Sequence, residues 1–164
     1  MHDWIISDTH FNHSNIVRYC NRPVNHNWLM QQNWRRIVGP EDTVLHLGDV
    51  LMGSSSVWAK SPGWLPGKVT VLSGNHDSKA KVDFMTSTWG WRFRPDFTIN
   101  YRGRYITFSH YPVENLADGT LNVHGHIHNR PSRSSRHVNV CVEVMDYKPV
   151  HLQSFLDQQL SRLF

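Results

Sequence analysis

Short apolar runs recur along the chain, and most are too short for anything but strands. Residues 4–6 (WII), 43–47 (TVLHL), 68–72 (KVTVL), 104–108 (RYITF) and 121–123 (LNV) read as buried strands. A sixth run, 137–144 (HVNVCVEV), alternates strictly and predicts one long strand with Val138, Val140, Val142 and Val144 on one face. Residues 97–101 (FTINY) and 104–108 flank Arg102-Gly103, which reads as a hairpin turn. Helical spacing fits 14–19, 27–37, 78–86 and 151–163, with Asn27 and Asp77 or Ser78 as predicted N-caps. Trp89, Trp91 and Phe93 alternate with Arg92 and Arg94, as in an edge segment packed on a core. Strands alternating with helices, then strands in succession, predict an α/β core with an antiparallel part.

The polar residues that follow these runs change the picture. The run 4–6 leads into Ser7, Asp8, Thr9 and His10, and 43–47 leads into Gly48 and Asp49. The run 68–72 leads into Ser73, Gly74, Asn75, His76 and Asp77. The run 104–108 leads into Ser109 and His110, and 121–123 leads into His124, Gly125, His126, Ile127 and His128. In α/β sheets, ligands bind beyond the carboxyl ends of the strands. Turns alone favour Asp, Asn, Ser and Gly, not repeated histidine. With His76 and His124 set aside, and Asp77 read as a helix cap, the set is two Asp, one Asn and four His. Structural zinc sites prefer cysteine in a closed tetrahedron, whereas this mixture suits two divalent cations with positions left open for water and phosphate. A carboxylate bridges two cations and a neutral imidazole does not, so one Asp is expected at the centre. Gly48 before Asp49 allows a tight backbone turn there.

Asp8-Thr9-His10, Gly48-Asp49, Gly74-Asn75-His76-Asp77, His110 and Gly125-His126-Ile127-His128 resemble, in order, the motifs of the calcineurin-like metallophosphoesterase superfamily, in its small bacterial and phage form. The resemblance implies a double β-sandwich flanked by helices, with a dinuclear site at the strand C-terminal ends. It implies that Asp8, His10 and His128 hold one ion, that Asn75, His110 and His126 hold the other, and that Asp49 bridges them. It implies a phosphomonoesterase or phosphodiesterase acting by in-line attack of a metal-bridging hydroxide, with His76 protonating the leaving oxygen. Met52 departs from the pattern, because the protein phosphatases of the superfamily carry an acid there. That argues against a protein phosphatase and leaves open what orients His76. Alternate histidines also suit a metallo-β-lactamase, but Asn129-Arg130 stands where that class needs Asp-His.

Composition narrows the rest. The 164 residues suit a single domain over 1–164. The net charge of +4 favours an anionic partner, so the expected substrate is a phosphate ester of a nucleotide or nucleic acid. The start of the chain carries no signal-peptide pattern and no run is long enough to span a membrane, so a cytoplasmic location is expected. Cys20 and Cys141 alone make no disulfide framework. The metal is expected to be manganese, with iron, nickel or zinc fitting the same donors. No cap domain is expected after the last motif. Asn12 and His13 either touch substrate or cap a helix near Ser14, and Arg133, with Arg130 and Arg136, either contacts substrate or lies on a solvated loop. Arg18 and Arg22 read as solvated or structural, His46 as a satisfied core histidine and His124 as a supporting strand residue. Two other readings stand beside the enzyme: a catalytically silent binding scaffold of the same fold, and a basic nucleic-acid-binding module.

Overall fold

The computed structural model describes residues 1–59 and 65–163. Nine strands form two sheets. The first holds β1 (Trp4–Ile6), β2 (Thr43–His46), β3 (Lys68–Leu72), β4 (Arg92–Arg94) and β9 (Val150–His151), in the order β4-β3-β2-β1-β9. All its pairings are parallel except β1 with β9. The second holds β5 (Phe97–Tyr101), β6 (Arg104–Ser109), β7 (Thr120–His124) and β8 (His137–Asn139) in sequence order. Its β5–β6 hairpin is antiparallel and the other two pairings are parallel.

Alternation along the strands produces two cores. Ile5, Leu45 and Leu72 face Ile106, Phe108, Leu121 and Val123 of the other sheet. Their neighbours Ile6, Val44 and Val71 face the opposite way and pack with Met30, Trp34 and Met85. Those last residues come from α2 (His26–Ile37) and α4 (Lys79–Trp89). In α2, His26, Met30 and Trp34 recur every four residues, so one face is buried. Leu152, Phe155 and Leu156 of α5 (Leu152–Leu163) close the inter-sheet core. Helices α1 (Ile16–Tyr19) and α3 (Ser55–Trp58) are single turns. This is the double β-sandwich with flanking helices that the motifs imply. Among the described residues no helix is long and apolar enough to cross a membrane.

Two local expectations fail. The run 137–144 is not one strand. It pairs as β8 only to Asn139 and turns into a 3-10 helix at Val142–Val144. The Asn139 amide donates to the His128 carbonyl (2.6 Å), and its Oδ1 accepts the Cys141 N–H (2.9 Å). Side-chain bonds of this kind compete with the ladder. The chain then crosses to the first sheet, where Cys141 bridges to Ser7 and Val142 joins the outer core, while Val144 is 46% exposed. The cap expected at Asn27 fails as well, whereas Ser78 holds the N-cap position of α4 as expected. Asn25 and Ser78 occupy the N-cap positions without side-chain capping bonds. Asn27 Oδ1 instead accepts the Asn12 N–H (3.1 Å), and Asp77 serves the neighbouring loop. Of the two readings of Arg22, solvated or structural, the structural one holds, since it is buried beneath the site.

His46 is the satisfied core histidine that the sequence suggests. The Gly48 N–H donates to its Nδ1 (3.1 Å), so the neutral ring donates from Nε2 to Thr9 Oγ1 (3.0 Å). Burial pushes this imidazole down to about 3, against the raising effect of Asp8. The unfolded chain titrates near the ordinary value of about 6.5. Below that pH the unfolded state takes up a proton that the folded state refuses, so stability falls as pH falls from about 6.5 toward 3. Each pH unit in that window is expected to cost up to about 1.4 kcal/mol. Urea unfolding of the metal-free protein at pH 7 and pH 5 checks this, and an unchanged midpoint would contradict it.

Candidate metal centre

Every predicted ligand sits just past the C-terminal end of its strand. Asp8 and His10 follow β1, Asp49 follows β2, Asn75 and His76 follow β3, His110 follows β6, and His126 and His128 follow β7. Five of them hold left-handed backbone angles: Asp8 (φ 55°), His10 (44°), Asp49 (58°), His126 (69°) and His128 (54°). Non-glycine residues seldom adopt this region, and such strain collects at functional sites.

Two groups of donor atoms share one carboxylate. Asp8, His10 and His128 each bring a ligand atom within 4.8 Å of the others, as do Asp8, Asp49 and His110. Asn75 Oδ1 lies 3.1 Å from His110 Nε2 and 3.1 Å from His126 Nδ1. Between the groups, Asp49 Oδ2 stands 3.4 Å from His10 Nε2 and 3.5 Å from His110 Nε2. The other oxygen, Oδ1, accepts the His76 N–H (2.8 Å).

These atoms fit cations better than they fit one another. His110 donates from Nδ1 to the Leu47 carbonyl (2.7 Å), which turns its Nε2 toward the oxygens of Asn75 and Asp49. Asp8 Oδ2 accepts the Ser7 hydroxyl (2.5 Å), the His126 N–H (2.9 Å) and the Cys141 thiol (3.2 Å). Its Oδ1, like His10 Nε2, is buried without a hydrogen-bond partner among the described residues. Buried polar atoms without partners are costly, and a divalent ion resolves both. Burial pushes the His10 ring down to about 4, more than the nearby Asp8 raises it, so the ring is a neutral donor near pH 7. Burial alone would raise the Asp8 carboxyl, but the neighbouring imidazoles of His10 and His110 and the Ser7 hydroxyl hold it well below its usual range. Burial pushes the Asp49 carboxyl up despite the opposing pull of His110. Nearby cations favour the charged form of such a group.

The supports were mostly invisible in the sequence. Glu143, on the 3-10 helix, accepts from His128 Nδ1 (2.9 Å) and from Arg22 Nε (2.8 Å). Burial would lower the His128 ring, but the bond to Glu143 and its charge raise it. Arg22 also donates to the carbonyls of Asp8 (2.6 Å) and Thr9 (2.8 Å), fixing the backbone beneath two ligands. Carboxylate–histidine pairs of this kind set the tautomer and the ring orientation of a ligand. Cys20 also lies near His128 and Glu143. Burial pushes its thiol up to about 11, so without an ion beside it the thiol stays protonated near pH 7. Asp77 accepts the N–H groups of Asp49 (2.7 Å), Val50 (3.0 Å) and Gly74 (2.9 Å), which ties the β2 and β3 loops together. Nothing local in the sequence marks these partners, which come from distant positions.

The glycines are steric requirements. A Cβ on Gly48, at φ 97°, would lie 2.5 Å from the Gly74 backbone nitrogen. A Cβ on Gly125 would overlap Ser7 Oγ and Asp8 Oδ2, so this glycine admits the Asp8 carboxylate. Gly125→Ala is expected to displace Asp8 and weaken manganese binding by at least about tenfold. Calorimetric titration checks this, and wild-type affinity in the variant would contradict it.

The residues weighed less firmly fall in several places. The His76 ring stands edge-on to His10, with centroids 5.3 Å apart, and its carbonyl accepts from Lys81 Nζ (2.7 Å). Lys81 Nζ also lies 3.7 Å from Met52 Sδ. His76 is therefore held through its backbone, by Asp49 on one side and Lys81 on the other. Asn12 and His13 do not cap α1, whose N-cap is Asn15. His13 lies against His10, with ring centroids 5.7 Å apart. His124 is buried in β7 with Nδ1 2.8 Å from the Gly125 carbonyl. Arg133 is exposed, 3.4 Å from Glu114.

This fold and this cluster are those of a calcineurin-like phosphoesterase, and the chain belongs to that family, whose sequence profile matches residues 1–158. An uncharacterized protein from Methanocaldococcus jannaschii is 35% identical over 169 aligned positions, spanning 91% of this chain and 86% of that protein. The gene 66 protein of Mycobacterium phage L5 is 25% identical and covers 83% of this chain and 81% of its own. The solved structure of a protein of unknown function from Aquifex aeolicus superposes with a TM-score of 0.74 over 98% of both chains. At 24% identity that likeness concerns the fold. The family is one of metal-dependent phosphoesterases, so the expected substrate is a phosphate ester.

Proposed function

We propose that residues 1–164 act as one domain that hydrolyses a phosphodiester or phosphomonoester of a nucleotide or nucleic acid, using two divalent ions. The observation that carries this reading is Asp49 Oδ2, nearly equidistant from His10 Nε2 and His110 Nε2 at 3.4 and 3.5 Å. Asp8, His10 and His128 would hold one ion, and Asn75, His110 and His126 the other, with Asp49 shared. When bound, the two ions supply Lewis acidity that neutralises phosphate charge and acidifies water. His76 delivers a proton to the leaving oxygen from the exposed rim of the site. Lys81 and Asp49 hold its backbone so that the ring stays over the cleft. Arg22 and Glu143 keep His128 and the Asp8 backbone in place. Manganese is the ion we expect, since oxygen and imidazole donors suit it. The basic charge of the chain favours a nucleotide or nucleic-acid ester over an uncharged alcohol ester.

The test compares bis-p-nitrophenyl phosphate with p-nitrophenyl phosphate, using metal-stripped protein resupplied with manganese. Turnover that requires manganese is expected, and the ratio of the two rates assigns diester or monoester preference. Two bound ions without turnover of either ester would favour the silent-scaffold alternative.

A further inference from the structure

Two loops build one wall of the cleft, beside Asn75, His110 and His126. The loop after β6 carries Tyr111 and Pro112, and the loop after β7 carries Ile127, Arg130, Pro131 and Arg133. With His126, all of these but Tyr111 line a pocket of about 290 Å³, near the lower bound of roughly 300 Å³ for small-ligand sites. Tyr111 adjoins it, 50% exposed, with its ring centroid 4.4 Å from His126 and 5.0 Å from His110. The two hydrophobic cores do not include this ring.

The arginines divide by what already occupies them. Arg136 donates to the Ala117 carbonyl (2.8 Å) and faces Asp118 at 3.8 Å. Among the described residues Arg130 gives only its Nε, to the Ile127 carbonyl at 3.2 Å, out of the five donors of a guanidinium. Arg133 meets Glu114 at 3.4 Å, but both are exposed and such a pair is weak. The pocket thus combines a planar aromatic, apolar walls and two arginines with donors to spare, next to one of the two ligand groups.

We propose that this pocket binds one nucleoside arm of a phosphodiester whose arm carries a second phosphate. The base lies against Tyr111 and the apolar wall, and the second phosphate meets Arg130 and Arg133. Stacking on an aromatic ring accepts any base, so the pocket selects for nucleotides without selecting sequence. Guanidinium–phosphate bonds then favour a chain with a further phosphate over an isolated diester. Beside the other ligand group, His13 stands edge-on to Tyr19, which is 72% exposed, with centroids 6.0 Å apart. A diester has two organic arms, and each ligand group has an exposed tyrosine near it.

The inference rests on the phosphoesterase reading above, and one set of assays separates the two. Steady-state kinetics of the manganese-loaded protein are measured with bis-p-nitrophenyl phosphate, with the dinucleotide ApA and with its 5′-phosphorylated form. The terminal phosphate is expected to lower KM about tenfold, the scale of charge-assisted bonds at a partly exposed site. In the Arg130→Gln, Arg133→Gln double variant the two dinucleotides are expected to share one KM. Melting temperature and metal content establish that the variant is folded and loaded. Tyr111→Ala is expected to raise KM for both dinucleotides. Equal KM values in the wild type, or an advantage that survives in the double variant, would overturn the pocket assignment. Cleavage of bis-p-nitrophenyl phosphate but of neither dinucleotide would overturn it too, while leaving the phosphoesterase intact. Failure on all three esters would defeat the phosphoesterase reading, and the pocket assignment with it.

Discussion

Asp49→Ala is expected to abolish hydrolysis and to weaken the binding of both ions. Asp8 belongs to both donor groups, but among the described residues it is Asp49 whose Oδ2 stands almost equally far from a histidine of each, 3.4 Å from His10 Nε2 and 3.5 Å from His110 Nε2. Oδ1 also fixes the backbone of His76. One substitution would therefore remove the proposed shared ligand and loosen the proposed proton donor together. Loss of a residue that merely orients a ligand lowers metal affinity by about 10–100-fold, so loss of the shared ligand is expected to exceed 100-fold. Metal analysis after dialysis, beside an ester assay, checks both effects. Two tightly held ions and full activity in the variant would refute the assignment.

His76→Ala is expected to separate the two functions that Asp49 combines. The variant keeps its metal, because none of the clustered donor atoms belongs to His76. Its turnover falls by about 10²–10⁴-fold, the usual contribution of a positioned acid. The loss should be small for p-nitrophenolate, which leaves without help, and large for an alkoxide, which needs the proton. A plot of log rate against leaving-group pKa therefore steepens in the variant. A uniform slowing across leaving groups would contradict proton donation and would mean that His76 serves only to contact phosphate.

The strands and their polar ends were legible because burial on both faces leaves continuous apolar runs, and because a ligand cluster at the sheet edge interrupts them abruptly. Asp8, Asp49, Asn75, His110 and His126 all follow such runs and all reach the cluster. Their division between two ions rested on the family resemblance, since sequence order says nothing about which loops face each other. Glu143 was hidden by the alternation of 137–144, a pattern that satisfies a strand and equally a chain crossing between two cores. Arg22 was hidden because its partner lies 121 positions away. Asp77 reads locally as a helix cap, but three N–H groups of two loops claim its carboxylate instead. The left-handed angles at Asp8, His10, Asp49, His126 and His128 fall on residue types that tolerate this region better than most, but residue type alone does not say which Asp and His adopt it. Tertiary contacts impose them, and they aim the ligands inward.

The central claim is that two ions share Asp49. Anomalous scattering from a crystal soaked in manganese tests it directly. The account predicts two peaks about 3.5–4 Å apart. One should fall among Asp8, His10 and His128, the other among Asn75, His110 and His126, with Asp49 touching both. A single peak, or two peaks that Asp49 does not join, would contradict it.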